Sequence, residues 1–132
     1  VSFRSQFMNW ENIVFDVDDL ANFQKVGCYF QAASDAHIYI GKGTCIAANV
    51  GIITANHDLK DLTKAAPGKD VRLGEDCWIG MNSTILPGVT LGDHTIVGAG
   101  SVVTKSFPEG HCVIAGNPAR IIRMLEKNEE EV

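Results

Sequence analysis

Four histidines, four cysteines and three late basic residues are the side chains here with chemistry to offer. His57 stands apart from the other histidines, because it is flanked by Asn56 and Asp58 and precedes a polar stretch rich in lysine and aspartate. An imidazole with a pKa near neutrality can take a proton from an attacking hydroxyl and later return one to a leaving group. His57 is therefore the candidate general base. His37, His94 and His111 have no comparable setting, and His94 is expected to face solvent. Cys28, Cys45, Cys77 and Cys112 are widely spaced with no C-x-x-C pair, which signals neither a zinc knuckle nor a disulfide framework. They read as free thiols, and a reducing cytoplasm is the expected location. Cys77 or Cys45 offers a covalent route, but Cys77 falls in a slot that takes small residues and Cys45 lies twelve residues before His57.

The chain that must position these groups has 132 residues with 45% hydrophobic and 20% charged, enough for one packed domain and unlike a disordered chain. Its net charge of -5 excludes a surface that as a whole binds nucleic acid or anionic membrane. An anionic ligand has to find a local basic patch. No apolar run approaches the roughly 18 residues of a membrane span, so neither membrane insertion nor a nucleic-acid partner is expected.

The positioning elements show themselves as a repeat. Stepping by six from Leu73 gives Ile79, Ile85, Leu91, Val97 and Val103, an unbroken aliphatic series. The residue after each is mostly glycine (Gly74, Gly80, Gly92, Gly98), and the residue four after each is small (Cys77, Ser83, Val89, Thr95, Ser101) until Phe107. Ile40, Ile46 and Ile52 follow the same rule, with Thr44, Val50 and Asn56 in the small slot. A period of six is neither helical nor simple alternation. It is the signature of a hexapeptide β-helix, in which each repeat makes one short strand and a corner and three repeats make one coil of 18 residues. The aliphatic residue fills the interior, the small residue fits the corner, and the glycine is expected to supply the turn conformation.

Around this regular body, 40–108, lie less regular ends. Residues 1–39 keep the step at Val1, Phe7 and Ile13 and then blur, which reads as irregular end coils. Between 58 and 72 the period stops, and a polar excursion loop leaves directly after His57. In the last segment, 109–132, Asn117 followed by Pro118 reads as a helix N-cap and first helical position. Ile121, Ile122, Met124 and Leu125 complete the stripe of a short C-terminal α-helix that caps the open strand edges. The tail 126–131 is a charge run expected to be solvated.

Two stretches carry a family resemblance: Ile52-Ile53-Thr54-Ala55-Asn56-His57-Asp58, and the run from Cys77-Trp78-Ile79-Gly80 through Gly98-Ala99-Gly100-Ser101-Val102-Val103-Thr104-Lys105 to Gly116-Asn117-Pro118-Ala119-Arg120. Together they resemble the hexapeptide-repeat acyltransferases, in the branch of maltose and galactoside O-acetyltransferases and of bacterial surface-polysaccharide O-acetyltransferases. The resemblance implies an all-β fold, a left-handed parallel β-helix, against the usual right-handed crossover. It also implies a homotrimer, acetyl-CoA as co-substrate without a metal, a saccharide or other small-molecule hydroxyl as acceptor, and His57 as general base at a subunit interface. Residue by residue, it places Ala99, Thr104 and Lys105 along the pantetheine and nucleotide groove, with Trp78 and Met81 beside it. Lys105, Arg120 and Arg123 would meet the phosphates. Asp35 and Asn56 would contact the acceptor, while Tyr29 and Gln31 stand where that branch tends to show asparagines.

Two other functions share this repeat. The γ-type carbonic anhydrases need three zinc-ligating histidines, two of them in H-x-x-x-x-H spacing, and no pair of histidines here has it. A repeat subunit used only as a scaffold is the other alternative, since fold alone does not fix function.

Overall fold

The computed structural model describes residues 4–127. Val1, at the head of the six-step, and the tail beyond 127 lie outside the described residues. Strands β1 (Gln6–Met8) and β2 (Ile13–Val14) open the chain, and β3 (Tyr29–Gln31), β4 (Ile38–Ile40) and β5 (Cys45–Ile46) make a full turn. The next turn holds β6 (Gly51–Ile53), β7 (Val71–Leu73) and β8 (Trp78–Ile79), and the one after it β9 (Thr84–Ile85), β10 (Thr90–Leu91) and β11 (Thr95–Val97). The last contains β12 (Val102–Val103) and β13 (Cys112–Gly116), after which β14 (Ala119–Met124) turns back. Corresponding strands of successive turns pair side by side, giving three sheets: β1-β3-β6-β9-β12, β2-β4-β7-β10 and β5-β8-β11-β13-β14. Every pairing is parallel except β13 with β14. The molecule is a three-sided parallel β-helix.

The coil length follows from the register. Thr90 lies opposite Arg72 and Val102 opposite Thr84, eighteen residues on in each case. Arg72 lies opposite Tyr39, thirty-three residues on, so the excursion inserts fifteen residues into one coil without disturbing its neighbours. Inside, like stacks on like: Phe7, Phe30, Ile52, Ile85 and Val103 form one column on the first sheet, and Ile46, Ile79, Val97 and Ile114 another on the third. Apart from half-buried Phe7 these residues are buried, each contributing roughly 1.5–3 kcal/mol by leaving water. The small-slot residues Cys77, Ser83, Val89, Thr95 and Ser101 are buried too, at the corners. Their polar atoms are satisfied locally; Ser83 and Ser101 hydroxyls both donate to the Gly98 carbonyl.

The glycines after the aliphatic residues serve a different purpose from the one expected. Gly74, Gly80, Gly92 and Gly98 do not have positive φ; the left-handed position falls two residues later, at Asp76, Asn82, Gly88, His94 and Gly100. What excludes a side chain at Gly80 is the next coil: a Cβ there would lie 2.6 Å from the Val97 carbonyl oxygen and 2.7 Å from the Ala99 nitrogen. Those glycines let coils approach; the Asn, Asp and Gly residues turn the corners. His94 occupies one such corner half-buried rather than in open solvent, its ring stacked on His111 with centroids 5.7 Å apart.

At the N-terminal end the third side of the first coil has no strand. A 3-10 segment, Val17–Gln24, replaces it, and its buried Asn22 imitates a peptide against β5, donating to the Thr44 carbonyl at 2.7 Å and accepting from the Ile46 N–H at 2.8 Å. Phe23 of the same segment closes that end of the core against Phe7, Phe15 and Phe30. At the other end the expected helix is a strand. β14 pairs antiparallel with β13 from Gly116↔Ala119 to Cys112↔Met124, so Asn117 and Pro118, joined by a cis peptide bond, make a hairpin turn instead of starting a helix. An Asn-Pro dipeptide initiates turns as readily as it caps helices. The β-branched Ile121 and Ile122 favour the extended form, and pairing with β13 satisfies a row of backbone groups that a helix would have left exposed. Among the described residues no helix is long and apolar enough to cross a membrane.

Candidate functional site

The excursion loop begins earlier and ends earlier than the break in period suggests. β6 ends at Ile53 and β7 starts at Val71, so His57 lies within the excursion and 71–72 belong to a strand. Asn56 sits in the small-residue slot but is exposed, because the chain has already left the coil. The loop root is a short antiparallel ladder. The Ala66 N–H donates to the Asn56 carbonyl at 2.9 Å, the Asp58 N–H to the Lys64 carbonyl at 2.8 Å, and His57 bridges Ala65. Beyond it the Asp58 carboxylate accepts from the Lys60 and Asp61 N–H groups, shaping the tip, where Leu59 is 93% exposed. The His57 ring is exposed and makes no hydrogen bond to the described residues. It borders a shallow depression lined by Asn56, Asp58, Leu59, Lys60 and Ala66. Asp35 stands beside the loop's return limb, one carboxylate oxygen accepting from the Gly68 N–H at 3.0 Å.

A second feature runs along the third sheet. Trp78 and Met81, about half exposed, border an apolar groove whose floor is Ala47, Gly80, Ile96, Val97, Gly98 and Ala99. The glycines keep that floor low. From Trp78 a single rank of paired residues crosses the sheet through Ile96 and Val113 to Arg123. At strand spacing this separates Trp78 from Arg123 by about 14 Å. Helical spacing would put Arg120 and Arg123 on one face; a regular strand would send them to opposite faces. A register shift between Val113 and Ile114 prevents that, because Ile122 is left over: Arg120 pairs with Ala115 and Arg123 with Val113, two positions on the same outward face. Thr104 and Lys105 are not on this sheet: they follow β12 at the end of the first sheet and are exposed, the Lys105 ammonium 5.6 Å from the Phe107 ring. None of Lys105, Arg120 and Arg123 forms an ion pair with a described residue.

The structure therefore gathers Trp78, Met81 and Ala99 in one groove and carries Arg120 and Arg123 on the same sheet. It does not bring His57 to them. His57 leaves the prism between the first and second sheets, on a different side from the groove. The four cysteines are free, three buried and Cys45 exposed. Burial pushes the Cys77 thiol above its ordinary range, and its Sγ donates to the Gly92 carbonyl. No group of three or more His, Cys, Asp or Glu side chains able to hold a metal lies among the described residues. Two groups that hold the loop, Gln31 and Thr54, are not found by reading residue types. Gln31 is visible only as a departure from the asparagines of the related branch, and Thr54 carries no signal.

Comparison with known proteins gives these features a context. Residues 70–105 match the family model of the bacterial transferase hexapeptide, six repeats. A galactoside O-acetyltransferase of Lactococcus lactis subsp. lactis is 33% identical over 122 residues, covering 90% of this chain and 56% of that protein. The crystal structure of a maltose O-acetyltransferase from Clostridium difficile 630 is 39% identical and superposes with a TM-score of 0.68, covering 76% of this chain and 54% of the other. A hexapeptide-repeat acetyltransferase of Vibrio cholerae O1 biovar eltor, complexed with acetyl coenzyme A, is 31% identical with a TM-score of 0.69, covering 77% and 56%. The chain spans about half the length of the curated relatives it matches. The three mostly parallel sheets and these neighbours fit a left-handed β-helix. By its repeat, its fold and its relatives, the chain belongs to the hexapeptide-repeat acetyltransferase family.

Proposed function

We propose that this protein is an acetyl-CoA-dependent O-acetyltransferase acting on a hydroxyl of a sugar or surface-polysaccharide precursor. The observation that carries the reading is the apolar groove of Trp78, Met81 and Ala99, on the same sheet as the outward-facing pair Arg120 and Arg123. An apolar channel with cations along its length suits a ligand with a slim pantetheine arm and a phosphorylated nucleotide. Lys105 and Thr104 follow β12 on the first sheet, on the edge from which the His57 loop also leaves, and are the cofactor contacts proposed from that side. Acetyl coenzyme A in the related Vibrio complex and O-acetyl transfer in the named relatives support the same assignment.

Chemistry then requires little. The acceptor hydroxyl oxygen attacks the thioester carbonyl while His57 removes its proton. The tetrahedral intermediate, its oxyanion held by backbone N–H groups, collapses with cleavage of the C–S bond, and His57 returns the proton to the departing thiolate. The products are the O-acetyl ester and coenzyme A. Direct transfer is favoured over an acyl intermediate on Cys77 because that thiol is buried and its pKa is raised by burial. Asp35 and Asn56, both exposed beside the loop root, are the proposed acceptor contacts. The active form is a homotrimer with the left-handed coil of its family, working in the reducing cytoplasm that the free thiols suit.

His57→Ala tests the mechanism: turnover of acetyl-CoA should drop by about 10²–10⁴-fold, the contribution of a positioned base. Calorimetric affinity for acetyl-CoA should stay as in the wild type. Unchanged turnover would remove His57 from the mechanism.

A further inference from the structure

The limb of the chain that carries His57 away from the coil is fastened by two side chains, Gln31 and Thr54. β3 and β6 pair as far as Gln31↔Ile53, where the regular ladder ends. One residue further, the Thr54 N–H reaches the Gln31 carbonyl at 3.1 Å and also the side-chain Oε1 of Gln31 at 3.1 Å. The same Oε1 accepts from the Ala55 N–H at 3.2 Å. That amide has left the sheet and finds its acceptor in Gln31. Thr54, fully buried, locks the other side: its hydroxyl donates to the Gln31 carbonyl at 3.0 Å and accepts from the Ala33 N–H at 2.7 Å. The Thr54 carbonyl in turn accepts from the Lys69 N–H at 2.7 Å, on the loop's return limb, and the following tie is at Asn56, whose carbonyl takes the Ala66 N–H. Gln31 thus adds one rung to the ladder beyond the end of the strand, two residues before His57.

We propose that Gln31 is a positioning residue for His57: its side-chain oxygen fixes the backbone of Thr54 and Ala55 and so sets the direction in which the imidazole is presented. The proposal rests on the reading of His57 as the base. It also accounts for a glutamine at a place where acceptor-binding asparagines are expected, since the oxygen of Gln31 is committed to backbone and not to a sugar. The requirement is for an acceptor at this reach. Glutamate provides one in the same place, whereas methionine keeps the length and removes it.

The test compares Gln31→Met, Gln31→Glu and His57→Ala by thiol release from acetyl-CoA, with maltose or water as the acceptor, and by amide hydrogen exchange. In Gln31→Met, kcat should fall about ten- to hundredfold, the effect of displacing a catalytic group by around an ångström. KM for acetyl-CoA should stay within about twofold, because the cofactor groove is on another sheet. Gln31→Glu should restore most of the loss, and exchange at Ala55 should quicken in the methionine variant alone. Loss in His57→Ala with none in Gln31→Met overturns the positioning role while leaving the base in place. A Gln31→Glu variant as slow as Gln31→Met overturns it as well. Unchanged turnover in His57→Ala removes the base itself, and with it any catalytic role for Gln31.

Discussion

At the scale of single residues, two basic side chains share a face although the element that carries them is a strand and not the expected helix. Helical spacing groups Arg120 with Arg123, and they do share a face, but through the leftover Ile122 in a strand. Because they and Lys105 are exposed and without ion partners among the described residues, their contacts with phosphate would be open to solvent and to salt. Lys105→Ala and Arg123→Ala should each weaken acetyl-CoA binding by roughly 1–2 kcal/mol at low ionic strength, the range for a charge-assisted hydrogen bond. The deficit should shrink as salt rises, since screening acts over about 8 Å at physiological ionic strength. Calorimetric titrations across a salt series check this, and a deficit that stays constant with salt would mean that the lost interaction was not electrostatic.

At the scale of the hexapeptide, two kinds of glycine can be told apart by substitution. Gly80→Ala places a methyl against the backbone of the next coil, at Val97 and Ala99, where no flexible side chain can yield. Forcing that overlap should cost roughly 1–3 kcal/mol or more. A methyl group at Gly100 would meet nothing within 4 Å, but the residue sits at φ +72°, so Gly100→Ala should cost about 1 kcal/mol for the left-handed conformation alone. Thermal or denaturant midpoints should rank Gly80→Ala below Gly100→Ala, and the reverse order would refute this division of roles. The same distinction explains what can be read from sequence. The inward aliphatic positions repeat because every coil buries the same columns, so the period, the coil length and the buried corners are all legible in Leu73 to Val103. Which glycine turns the corner is not, because inter-coil contact leaves no mark on a sequence. Nor is the end of the fold: Asn117-Pro118 suits a cap and a turn alike, and pairing with β13, which decides between them, is a tertiary event. The loop root is legible in His57 and invisible in Gln31 and Thr54, whose hydrogen bonds join segments more than twenty residues apart.

At the scale of the whole molecule, the separation of His57 from the groove has a consequence for assembly. One chain holds the proposed base between its first and second sheets and the proposed cofactor groove on its third, so one chain alone faces the two halves of a site in different directions. Three copies around a closed three-fold axis would set the loop of each against the groove of the next, and every copy would give and receive one half-site. The expected species is about 43 kDa, three chains of 14.3 kDa. Sedimentation alone would establish the mass but not the shared site, which a mixing experiment reaches. A His57→Ala chain keeps an intact groove, and an Arg120→Ala, Arg123→Ala double variant, both changes on the third sheet, keeps an intact base, so each alone should be poor at acetyl-CoA concentrations below the double variant's dissociation constant. Unfolded together in equal amounts and refolded, they form mixed rings in which roughly one site in four combines the good loop of one chain with the good groove of its neighbour. Turnover should therefore rise well above the mean of the two parents. If each site were built from a single chain, every site in the mixture would carry one defect or the other, and the mixture would show only that mean.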